Sequence, residues 1–244
     1  MGFVLDRIVF NLDHRQGDLR AGKPPPPKKV KEILWGGEYP SKLSEARILE
    51  NLFLVATGIR NSSMFHPIDE KEILRVNEAA EKIGIGMVVR KAGKRVHKVF
   101  LFNGKKEKMA ERIPDVYEDM GFRDFIVAQI AIARMTGHFL DYSRCCVESF
   151  ITHLMDATDQ DLAAQEALKG EEDPDPNAYF LERFVPCTPR CERAVEEGRR
   201  ISDELEKMDP DLAKTYKGLQ EDHMKDVLNG VILDEKAERI RGRE

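Results

Sequence analysis

The chain has 244 residues, 41% of them hydrophobic and 34% charged, with 17 glycines and 12 prolines; this size fits one large domain or two modest ones, and the composition excludes collagen-like, mucin-like and wholly disordered classes. The formal net charge of −5 conceals an asymmetry: residues 1–144 carry 25 basic against 19 acidic side chains and residues 145–244 carry 14 against 25, so the two parts stand at +6 and −11. No apolar run approaches the roughly 20 residues of a membrane-spanning helix, and the first residues lack signal-peptide architecture, which makes a cytoplasmic location the expectation.

In chain order, residues 3–12 are rich in Val, Ile, Leu and Phe and read as a strand. They are followed by a stretch containing Pro24-Pro25-Pro26-Pro27 flanked by lysines, which reads as extended polyproline. Residues 1–40 are therefore expected to form an N-terminal arm and proline-rich spacer. A helix starting at Ser41 or Ser44 should run to about Thr57 and end at Gly58. A second begins at Asp69, with Glu72 completing a capping box and Ile73, Val76, Ala80 and Ile83 recurring at helical spacing.

After Gly84 the period shortens. Residues 85–91 and 95–102 are β-prone runs separated by Ala92-Gly93-Lys94, which predicts a β-hairpin. Helical spacing returns at Met109, Ile113, Val116, Tyr117 and Met120, with Pro114 kinking that helix or starting a new one. Residues 123–136 are apolar on nearly every side and predict a central buried helix. The remainder reads as helices joined by short acidic loops, closing on a solvated end at residues 236–244. The expected class is α+β, predominantly helical, with a small antiparallel β element near residues 85–102. Residues 41–121 make a small α+β region bearing the basic hairpin, and residues 122–244 a helical, cysteine-bearing region.

All four cysteines fall in two pairs, Cys145-Cys146 and Cys187-x-x-x-Cys191. Each pair sits at a predicted helix start. Ser143 caps a helix with Cys145 and Cys146 at its second and third positions, and Thr188 caps another with Pro189 first and Cys191 third. The positive end of a helix dipole favours the thiolate, which ligates metals, attacks disulfides and handles sulfur. The four thiols are therefore expected to converge in space as a soft anionic site for zinc or an iron–sulfur cluster, or as a thiol redox or sulfur-handling set. The spacing of Cys187 and Cys191 suits zinc. That of the adjacent pair does not, because neighbouring helical side chains point about 100° apart, and no C-x2-C run of a cluster protein is present. The alternative is that the cysteines hold no cofactor, as buried hydrophobes or disulfide staples. His138, just before Cys145, is a further candidate ligand. His153, seven residues beyond Cys146, is too far along a helix to share one ion with it.

Two motifs carry a resemblance. The run from Gly137-His138-Phe139 through Asp141-Tyr142-Ser143-Arg144-Cys145-Cys146 to Ser149-Phe150, followed by Pro186-Cys187-Thr188-Pro189-Arg190-Cys191, resembles a mainly archaeal family, domain of unknown function 483. The resemblance extends over roughly residues 65 to 205. In that family a Gly-Tyr-Pro turn precedes the double cysteine, where this chain has Asp141-Tyr142-Ser143. The resemblance implies a cysteine site and no established activity.

Basic residues concentrate between residues 90 and 112. An alternative function is therefore an RNA- or DNA-binding adaptor using Arg90, Lys91, Lys94, Arg95, Lys98, Lys105 and Lys106, with Phe100 and Phe102 as stacking residues and the cysteines purely structural. The same surface could take an acidic protein partner. A solvated face that protects a strand edge is the plainer reading. Walker loops, dinucleotide fingerprints, H-E-x-x-H and G-x-S-x-G are absent from the sequence.

Overall fold

The structure, a computed structural model, describes residues 25–36, 48–65, 70–91, 97–104, 106–113, 122–156, 158–181 and 184–230. The expected strand at residues 3–12, the helix start at Ser41 or Ser44, the capping Asp69, the Ala92-Gly93-Lys94 turn, the Pro114 kink and the end at residues 236–244 lie outside them. The chain divides into two compact units, Met1–Asp141 and Tyr142–Glu244.

In the first unit, residues read as spacer form a helix, α1 (Pro27–Trp35). Pro26 does keep a polyproline conformation, φ −59° and ψ 141°. Pro27 then occupies the first helical position, where its missing N–H costs nothing, so the end of the proline run starts a helix. A π-helical turn (Leu49–Phe53) runs into α2 (Leu54–Ala56), and the chain leaves this helix at Gly58, φ +78°, as the sequence predicts.

The sheet has three strands, β1 (Ser62–Phe65), β2 (Gly86–Lys91) and β3 (His97–Phe102), in the order β1-β3-β2 with both pairings antiparallel. The expected hairpin is β2–β3, in the register Gly86↔Phe102 to Lys91↔His97; β1 was not anticipated. Val99, Phe100, Leu101 and Phe102 of the central strand are all fully buried, so this strand is apolar on both faces. α3 (Glu70–Ile83) buries Ile73, Val76, Ala80 and Ile83. It ends in a Schellman arrangement in which the N–H groups of Gly84, φ +84°, and Ile85 both bond the Ala80 carbonyl. A short α4 (Glu107–Ala110) follows the sheet.

α5 (Phe122–Phe139) is the long apolar helix, but its burial is partial, since Val127 is 61% exposed while Ile132 and Phe139 are buried. Its C-terminal end is the anchored part. The Phe139 ring meets Phe100 and Phe102 edge-on at 5.5 and 6.3 Å, and the orphan carbonyls of the last turn are taken by side chains. Ser62 Oγ donates to the Phe139 carbonyl, Arg60 Nη2 to that of Leu140 at 2.5 Å, and Lys106 Nζ to that of His138 at 3.2 Å. Asp141 then turns the chain at φ +54°, a conformation that favours glycine. Its carboxylate is held by Lys106 Nζ at 2.6 Å and by Asn61 Nδ2 at 3.3 Å.

The second unit is helical among its described residues: α6 (Arg144–Met155), α7 (Gln160–Lys169), a 3-10 turn (Pro176–Ala178), α8 (Glu192–Met208) and α9 (Pro210–Leu228). Asp159 caps α7 and Asp209 caps α9 through their side-chain oxygens. The core gathers Tyr179, Phe180, Ile201, Leu205, Leu212 and Tyr216, all buried, and the Tyr216 hydroxyl donates to the Phe180 carbonyl at 2.7 Å. α8 passes so close to the 3-10 turn that a Cβ on Gly198 would lie 2.1 Å from the Asn177 carbonyl oxygen.

Candidate metal centre

The second unit brings its four cysteines together. Ser143 is the N-cap of α6, with φ −60° and ψ 139°, so Cys145 and Cys146 stand second and third in the helix as predicted. The other pair differs from expectation. Cys191 is itself the N-cap of α8 and not its third residue. Its N–H bonds the Thr188 carbonyl at 3.1 Å in a turn, and its own carbonyl accepts the first helical bond from Val195 at 2.9 Å. With Pro189 in it, the Thr188–Cys191 segment closes as a turn before the helix instead of as its first coil.

An aromatic clasp brings the two segments side by side. The Tyr142 ring lies 4.7 Å from that of Phe184 and 6.1 Å from that of Phe180, and those two are 4.3 Å apart. Tyr142 leads directly into the first pair, and Phe184 stands three residues before Cys187.

The ligand atoms of Cys145, Cys146, Cys187 and Cys191 all lie within 4.8 Å of one another, and together they could hold a metal ion. Cys145 Sγ and Cys146 Sγ are each 3.7 Å from Cys191 Sγ. Such contacts are far beyond the ~2.05 Å of a disulfide, and all four cysteines are free thiols. The 100° separation of neighbouring helical side chains does not keep the adjacent pair apart. In the first turn, side chains lean toward the helix N-terminus, so both sulfurs swing to the open end of α6, where no earlier turn intervenes.

Burial divides the four: Cys145 is exposed, Cys187 partly exposed, and Cys146 and Cys191 are 3% and 7% exposed. Burial pushes the Cys146 thiol up to about 11, against the pull of the Ser143 hydroxyl and the Cys187 backbone N–H. It pushes Cys187 up as well, with the neighbouring thiolates adding to the effect. For Cys145, burial also acts upward, but hydrogen bonding from Ser143, Cys191, Cys187 and Cys146 outweighs it and holds this thiol below its ordinary value. Ser143 Oγ lies 3.4 Å from Cys145 Sγ. A bound cation would relieve the mutual repulsion of the inner thiolates.

His138 is exposed, stands in the first unit and is not a member of the four-sulfur group. His153 Nδ1 is 2.8 Å from Thr158 Oγ1. A cleft beside Cys187, lined by Ser149, His153, Gln160, Tyr179 and Thr188 among others, offers 50 Å³. That is room for a few waters, against the several hundred Å³ of a substrate pocket. Reading the sequence missed two contributors to the site, the Ser143 hydroxyl as a partner of sulfur and the Cys187 N–H. The Ser-x-Cys spacing at a helix start was the available signal for the first.

The basic residues of the alternative are put to structural use where they are described. Arg90 Nε donates to the Ile113 carbonyl at 2.7 Å and its Nη2 to that of Glu111 at 3.1 Å, beyond the end of α4. Lys106 is buried against Asp141. Lys98 faces Arg90 across the β2–β3 ladder, and burial pulls its ammonium below the ordinary lysine value. The side chains of Lys91, Lys94, Arg95 and Lys105 lie outside the described residues. The nucleic-acid reading is not favoured.

The family model described as "Protein of unknown function (DUF483)" matches residues 104–229, about half of the chain. The chain belongs to this family. The DUF483 match begins just past β3 and takes in the Asp141 turn, both cysteine pairs and all of α9; it starts and ends later than the expected span of residues 65 to 205. No curated protein and no solved structure matches the chain. Among the described residues no helix is long and apolar enough to cross a membrane.

Proposed function

We propose that this DUF483 protein holds one zinc ion on Cys145, Cys146, Cys187 and Cys191. The ion would fasten the start of α6 to the turn and cap that begin α8. The observation that carries this reading is the sulfur spacing. Four thiolates about 2.3 Å from one zinc define a tetrahedron with edges of about 3.8 Å; two of the four cross-pair separations, those to Cys191, are 3.7 Å, and all four sulfurs lie within 4.8 Å of one another. An iron–sulfur cluster fits less well, because each thiolate binds a different iron of a cubane and the sulfurs then stand wider apart than around one ion. A site saturated by four thiolates keeps no open position, which is the signature of a structural centre. The segment it would hold, from Phe184 to Cys191, has no regular secondary structure and two prolines, so it is where an ion contributes most order. A cytoplasmic setting, in which thiols stay reduced, completes the reading.

The test is anaerobic purification followed by elemental analysis and an absorption spectrum, comparing the intact chain with a Cys187→Ala, Cys191→Ala double variant. One zinc per chain, lost in the variant, is the expected result, and cobalt(II) in its place should give the intense visible bands of a tetrahedral thiolate site. Stoichiometric iron with charge-transfer absorption would replace zinc by a cluster. Absence of both metals would overturn the proposal.

A further inference from the structure

The four sulfurs are unequal in a way that a purely structural site does not require. Cys146 and Cys191 are buried, Cys187 is partly covered, and Cys145 alone is exposed. Small reagents therefore meet the Cys145 sulfur most readily. That sulfur has the Ser143 hydroxyl 3.4 Å away and the Cys191 sulfur 3.7 Å away.

We infer that Cys145 is a modification site at which hydrogen peroxide opens the metal centre, with Cys191 as its disulfide partner; this rests on the four-thiolate zinc reading above. In the first step the Cys145 sulfur attacks the peroxide. An S–O bond forms, the O–O bond breaks, the sulfur gives up two electrons to become a sulfenic acid, and the departing oxygen leaves as hydroxide and takes a proton to become water. In the second step the Cys191 sulfur attacks the Cys145 sulfur. The S–S bond forms, the S–O bond breaks, and the second oxygen leaves as hydroxide, which takes a proton from solvent to become water. One peroxide is reduced to two waters and two thiolates are oxidised to one disulfide, which leaves the ion only Cys146 and Cys187.

Geometry selects the partner. Cys146 is adjacent to Cys145 in a helix, and consecutive Cα atoms about 3.8 Å apart fall below the range that disulfides span. Cys191 has no such constraint and is in sulfur–sulfur contact. Ser143 can turn its hydroxyl, 3.4 Å away, to donate to the attacking sulfur.

The experiment treats the full, zinc-loaded chain with hydrogen peroxide in the presence of a metallochromic chelator, after its zinc content has been measured, and then maps disulfides by peptide mass. One zinc should be released per chain as two thiols disappear, the new bridge should join Cys145 to Cys191, and a dithiol should restore zinc binding. Cys145→Ser should release zinc at least tenfold more slowly. In Cys191→Ser the Cys145 sulfenic acid should persist long enough for a 1,3-dione probe to label it. If Cys145→Ser binds no zinc, the bridge mapped in the parent chain still decides. Zinc bound but unmoved by peroxide, a bridge that omits Cys145, or an unchanged release rate in Cys145→Ser would each overturn this inference and leave the zinc reading standing. A parent chain that holds no zinc before peroxide is added overturns both.

Discussion

Substitutions at Asp141 separate a backbone cost from an electrostatic one at the turn that leads into the cysteines. Asp141 sits at φ +54°, where a residue with a Cβ is disfavoured by about 1 kcal/mol or more relative to glycine. Against that cost stands its ion pair with Lys106, at 2.6 Å with side-chain exposures of 46% and 10%. A pair of this kind lies between the small worth of an exposed bridge and the large penalty for stranding a buried charge, so its loss should cost about 1–2 kcal/mol. Asp141→Gly loses the pair but regains the backbone freedom and should be destabilised by at most about 1 kcal/mol. Asp141→Ala loses the pair and keeps the strain that the parent already bears, for about 1–2 kcal/mol. Trp35 is the single tryptophan, stacked on Phe53 in the same unit, so urea unfolding followed by its fluorescence reads the relevant part of the molecule. Adding Lys106→Met to the alanine variant should recover part of the loss by removing the unmatched ammonium. An alanine variant as stable as the glycine one would refute the positive-φ argument. A glycine variant more stable than the parent by 1 kcal/mol would refute the worth assigned to the ion pair.

Zinc affinity should climb steeply with pH. The Cys146 thiol is pushed up to about 11 and Cys187 is raised too, so both carry protons in the metal-free chain near neutrality. Binding displaces at least these two protons, and each contributes about tenfold per pH unit. Competition against a chelator of known affinity should therefore show a rise of about 10⁴-fold from pH 6 to pH 8, and a flat profile would mean that these thiols are not ligands. In the helical unit, Gly198→Ala places a Cβ 2.1 Å from the Asn177 carbonyl and 2.8 Å from Gln220 Nε2, and should cost about 3 kcal/mol. Chemical unfolding followed by far-ultraviolet circular dichroism measures it, and an unchanged midpoint would show that the close approach is relieved in solution.

The parts of the fold that were legible in the sequence are those in which one local signal governs. The change from helical to alternating period after Gly84 marks the hairpin, and Ser143 ahead of the cysteines marks the start of α6. What escaped depended on distant partners. β1 is only Ser62-Ser63-Met64-Phe65, with no alternation to detect. Its two serines are buried because Ser63 Oγ donates to Asn51 Oδ1 at 2.5 Å and Ser62 Oγ donates to the Phe139 carbonyl, 77 residues away. Four prolines in a row carry a strong extended preference, but the last of them is also suited to open a helix, and local propensity does not separate the two. The cysteines were legible as two pairs. Their meeting was expected from the two helix starts and is found, but the means was not legible: Tyr142 packs against Phe180 and Phe184, a contact that no spacing encodes.

The separation of the two pairs along the chain has a consequence for a newly made molecule. Cys145 and Cys191 are 46 residues apart, so the adjacent pair is synthesised before either partner exists. At about 5–20 residues per second this interval lasts about 2–9 s. During it Cys145 and Cys146 lack the other half of their ligand set. Synthesis of Cys191 ends the interval by completing the ligand set.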